Sequence, residues 1–199
     1  MPAKKLLGIL VLLSISIFML VWIPNHIAFL SKQPPSSTLF PIMLMLQVVA
    51  CGIGLITGPI LFWARFRDEA LSVHKPVGII YLLACLVASL TALGLLAFTR
   101  LAWSNILGLI LLNGIWLVTL LMTWRTMQAG DLAANRRWLL RSFSLTFSAV
   151  TLRLFLVVLF KETATSIPVI VLWLAWVPNL FLTELFICRE LKAAEKAAA

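Results

Sequence analysis

Two groups of residues in this otherwise apolar chain can do chemistry. The first is a run of arginines: Arg136, Arg137 and Arg141 follow Asn135, and Arg153 lies further along the same stretch. Guanidinium groups at this density suit capture of carboxylate or phosphate oxygens, because each presents a planar fork of donors. The second is His74 with Tyr81 deeper along the same segment. The imidazole can ligate a metal or exchange a proton, and the phenol can hydrogen-bond a ligand. Glu184 and Asn179 complete the set, and Glu184 is one of seven acidic residues in the chain.

These groups are embedded in a sequence that is 62% hydrophobic and 12% charged, with a mean hydropathy of +1.08 over 199 residues. Such a composition cannot cover a water-soluble surface, so the polar residues must be positioned by membrane-spanning helices. A span needs roughly 20 mainly apolar residues, and six segments qualify, at about 6–23, 39–64, 77–99, 104–124, 138–160 and 168–188. The expected fold is an all-α integral membrane protein, a bundle of six transmembrane helices forming one domain over 1–199. Lys4 and Lys5 precede the first apolar run as in a signal peptide, but no small-residue cleavage site follows, so that run is read as a retained helix.

Basic residues orient the bundle. Lys4, Lys5, Arg65, Arg67, Lys75, Arg125, Arg136, Arg137, Arg141, Arg189, Lys192 and Lys196 fall on one side, and Lys32, Arg100 and Lys161 on the other. The positive-inside rule then predicts both termini in the cytoplasm, in a bacterial inner membrane. The net charge of +9 is accounted for by these loops and by anionic lipid, and nucleic acid is not expected as a partner. Trp22, Trp63, Trp103, Trp124 and Trp138 lie at predicted helix ends, where amphipathic rings favour the headgroup region, whereas Trp116, Trp173 and Trp176 fall inside spans and are expected to pack there.

Several features carry structure rather than chemistry. Cys51, Cys85 and Cys188 have no paired spacing and read as free thiols. Gly54 and Gly58 form a GxxxG spacing that favours close helix approach or a homodimer. Segment 32–38, with Pro34 and Pro35, reads as a connector, and 192–199 as a helical extension or an appended tail. Pro178 frees the carbonyl of Leu174, and Asn179 brings an amide into the core.

Polar residues concentrate in the span at 138–160. Arg137, Arg141, Ser144, Ser148 and Thr151 recur every three or four residues as one stripe, with Ser142, Thr146 and Arg153 on another side. The band Phe143, Phe147, Val150 and Leu154 is expected to be the only part meeting lipid. The plainer account of the hydroxyls is that each bonds a carbonyl of its own helix. Arg153 lies roughly 18 Å beyond Arg141 at 1.5 Å per residue, and by the same rise Asn179 reaches a similar depth on the last span. Glu184 is too near the basic end to reach Arg153, and is expected to pair with Arg141 or Arg137.

The segment 135–142, NRRWLLRS, with 149–154, AVTLRL, resembles the signature of an uncharacterised bacterial membrane-protein family, domain of unknown function 2306. His74, Gly78 and Tyr81 resemble its HxxxGxxY element, and Trp176-Val177-Pro178-Asn179 with Glu184 its closing WVPN and acidic element. The resemblance covers roughly the last two-thirds of the chain. It implies a polytopic helical fold and no particular activity. One departure stands out: Asn135 occupies the place where the family usually has histidine. If paired family histidines hold a metal or haem, an amide at Asn135 weakens that site here.

Only His26 and His74 are present, and the expected topology puts them at opposite membrane faces, which excludes a four-histidine cytochrome. His74 is the single candidate metal or haem b ligand. Phosphate loops, HExxH, nucleophile elbows and paired carboxylates are missing, so the chain does not read as an enzyme. The leading expectation is a binding or accessory protein with a cytoplasmic-side site built from His74, Tyr81, Asn135, Arg137, Arg141 and Glu184. Arg153 and Asn179 form a deeper intramembrane pair. The site would hold an anionic or amphipathic ligand such as a lipid headgroup or quinone, or dock a larger membrane complex. A single-haem or quinone-linked redox protein using His74 ranks second, and a small-molecule transporter third.

Overall fold

The computed structural model describes residues 38–64, 71–98, 101–155 and 169–198, together with Gly8. The described residues are helical with no strands: α1 (Leu39–Ala64), α2 (Leu71–Leu95) with a 3-10 turn at Leu96–Phe98, α3 (Trp103–Gln128), α4 (Leu132–Phe155) and α5 (Val169–Ala198). Four stretches are long and apolar enough to cross a membrane: Leu39–Leu61, Lys75–Phe98, Trp103–Gln128 and Val169–Lys196. The chain is a multi-pass membrane protein. The span expected at 6–23 lies outside the described residues, as do His26 and Lys32.

The described part of α4 falls short of the apolar standard that the other four meet. Arg141, Arg153 and five Ser and Thr side chains between them lower its hydropathy. Burial compensates: Ser142, Ser144, Thr146 and Ser148 are all buried. Each of these hydroxyls that has a described partner bonds its own helix, Ser144 to the Arg141 carbonyl at 2.8 Å, Thr146 to Ser142 at 3.0 Å and Ser148 to Ser144 at 3.1 Å. The plainer reading of the hydroxyls therefore holds for these three. The expected lipid band needs one correction. Leu154 is exposed and Phe143 and Phe147 are half-buried, but Val150 is 2% exposed and belongs to the core.

The chain forms two compact units, 1–106 and 107–199. In the first, α1 packs along α2. Phe40 meets Phe98 edge-on with ring centroids 6.2 Å apart, and Met43 lies against Gly94, so the helices run antiparallel. Small side chains are buried on both helices: Ala50, Cys51, Gly52, Gly54 and Gly58 on α1, and Gly78, Ala84, Cys85 and Ala88 on α2. Cys51 and Cys85 are free thiols. Facing outward are Ile42, Val49, Ile56, Leu83 and Leu90. Each such side chain would forgo roughly 1.5–3 kcal/mol if left in water, and lipid removes that cost.

In the second unit, α4 packs along α5 and is joined to α3 by a tight corner. Gly130 supplies the helix stop, with φ at +72°, a conformation open to residues without a Cβ. Its N–H bonds the Met127 carbonyl at 3.3 Å, and the Asp131 N–H reaches the Thr126 carbonyl at 3.2 Å, the two bonds of a Schellman cap. Asp131 then starts α4, its Oδ1 accepting the Ala134 N–H at 2.9 Å as an N-cap. Outward from α5 point Ile170, Leu174, Val177, Phe181 and Leu185. Their spacing of three or four residues makes one apolar face.

Candidate functional site

The corner between α3 and α4 brings the basic cluster to one end of the second unit. Asn135 sits in the first turn of α4 and is 5% exposed. Its Nδ2 donates to the Thr123 carbonyl at 2.8 Å and to Thr126 Oγ1 at 3.3 Å, latching α4 back onto α3. The amide hydrogens of Asn135 are thus spent on the fold.

The arginines after it have three different fates. Arg136 donates from Nη1 to Glu190 Oε2 at 2.5 Å and from Nη2 to Glu190 Oε1 at 2.7 Å. Arg141 makes a second fork, Nε to Glu184 Oε1 at 2.5 Å and Nη2 to Glu184 Oε2 at 2.9 Å. Its guanidinium also lies over the Trp138 ring, 4.6 Å from the centroid, a cation–π contact. Both pairs tie α4 to α5 and run the helices antiparallel. Arg137 lies between them, half-buried, on the same stripe as Arg141, and has no carboxylate partner among the described residues.

Deeper in the unit, Asn179 donates from Nδ2 to Thr151 Oγ1 and to the Ala175 carbonyl, both at 2.9 Å. The depth match expected between Asn179 and Arg153 is present, since Thr151 is two residues from Arg153. The described bonds of Asn179 go to the Thr151 hydroxyl and the Ala175 carbonyl, and Arg153 has interactions of its own.

Asn135, Arg137, Arg141 and Glu184 all belong to the second unit, with Arg141 and Glu184 in direct contact. His74 and Tyr81 belong to the first unit, on α2, where Tyr81 is fully buried. Among the described residues no group of three or more His, Cys, Asp or Glu side chains is arranged to hold a metal ion.

Sequence reasoning missed the Arg136–Glu190 fork and the Asn135 latch. A signal for the latch was present in Gly130-Asp131, a helix stop followed at once by a capping residue, which forces α3 and α4 into a tight hairpin and Asn135 against the end of α3. Nothing in the sequence chooses between Arg136 and Arg137 as the partner of Glu190, because neighbouring residues differ by about 100° around the helix.

No curated protein and no solved structure matches the chain. A family model does: the one described as "Predicted membrane protein (DUF2306)" matches residues 44–187, a stretch that holds α2, α3 and α4 complete and most of α1 and α5. With well over half its length inside that match, the chain belongs to the DUF2306 family of predicted membrane proteins.

Proposed function

We propose that the protein is a binding or accessory component of the membrane, whose basic end holds the anionic headgroup of a lipid through Arg137. One observation carries this reading. Of the three clustered arginines, Arg136 and Arg141 are each neutralised by a two-point carboxylate fork, while Arg137 between them is half-buried and meets no carboxylate among the described residues. A partly buried guanidinium keeps its charge and seeks an acid oxygen, and a phosphate diester fits the fork.

The surroundings favour an anion as well. Arg125 at the end of α3, and Arg189, Lys192 and Lys196 at the end of α5, lie at the same end of the unit as the start of α4. Positive residues there add long-range attraction for an anionic leaflet, about 1 kcal/mol for each one near the surface. On this reading the Asn135 latch and the two ion pairs hold Arg137 in place, so the ligand meets a preformed site. The basic residues also support the cytoplasmic assignment of this end.

The test is native mass spectrometry of the detergent-solubilised full chain. Wild type is expected to retain phosphatidylglycerol in preference to phosphatidylcholine, and Arg137→Gln to lose that preference by about tenfold, the 1.4 kcal/mol of one charge-assisted hydrogen bond. Equal retention of both lipids by wild type would overturn the proposal.

A further inference from the structure

We draw no further inference here: the strongest candidate, the Cys51 and Cys85 thiols buried on the packed helices α1 and α2, carries nothing because no third metal-ligating side chain joins them among the described residues and thiols buried in apolar surroundings are inert to oxidation.

Discussion

The α1–α2 pair and the α4–α5 pair solve the same problem, holding two antiparallel helices together in lipid, by opposite means. The first relies on closeness. Gly54, Gly58, Gly78, Cys51 and Cys85 are small enough for the helices to lie side by side, and dispersion over many contacts does the rest. The second relies on charge and hydrogen bonds: Arg136 with Glu190, Arg141 with Glu184, and Asn179 with Thr151. Close packing demands exact size along the whole interface and tolerates no growth. Ion pairs demand exact partners at a few points and leave neighbouring positions, Arg137 among them, available for a ligand. A close-packed pair and a charge-paired one thus fall in different parts of one chain.

Substitutions can break this contrast in order of expected effect. Gly58→Leu should damage the α1–α2 pair most, by about 3 kcal/mol, since overpacking a tight interface costs this much; the loss should be the same at low and high salt in thermal unfolding of the solubilised protein. Glu184→Gln leaves Arg141 partly buried with half its fork, and should cost about 2 kcal/mol, in the range of a hydrogen bond to a charged group. Adding Arg141→Met to it should recover part of that loss, because a partly buried ion pair replaced as a whole is less costly than one left broken. No recovery in the double variant would mean that the pair is not what holds α4 to α5.

Smaller effects sharpen the account of the corner. Asn135→Ala removes both latch bonds and should cost about 1–2 kcal/mol, while Asn135→His keeps one N–H for the Thr123 carbonyl and should lose less. A greater loss with histidine than with alanine would show that the corner is shaped around the amide. Gly94→Ala is the mildest: the new Cβ would overlap the end of the Met43 side chain, which can swing aside, so the net change should stay within about 0.5 kcal/mol, as helix propensity gained offsets the displacement.

The helices were legible in the sequence because each apolar run had to be long enough to span the hydrocarbon. Segment 39–64 became Leu39–Ala64 without change, and α2, α3, α4 and α5 each extend the expected span at its basic end. There, loop residues such as Arg125 and Asn135 carry the helix on into the polar region. Depth was legible too, since residues per turn convert directly into ångströms. Arg141 therefore found Glu184, and Asn179 came level with the turn that holds Arg153. Rotation about the helix axis was not legible. Whether Arg136 or Arg137 meets Glu190, and whether Val150 faces lipid or the core, depends on how neighbouring helices pack. Lipid and protein core are both apolar, so hydrophobicity alone does not choose between rotations.

The claim at the centre is that Arg137 alone of the three clustered arginines is available to an acid oxygen. A titration of the solubilised protein with short-chain phosphatidylglycerol, followed by a fluorescent headgroup analogue and repeated at two salt concentrations, tests it in wild type, Arg137→Gln and Arg137→Lys. Wild type should bind most tightly and weaken with salt, Arg137→Gln should bind about tenfold less with a flatter salt dependence, and Arg137→Lys should fall between them. If Arg137→Gln binds as wild type does, the headgroup is held elsewhere and the assignment of this end as the binding site is wrong.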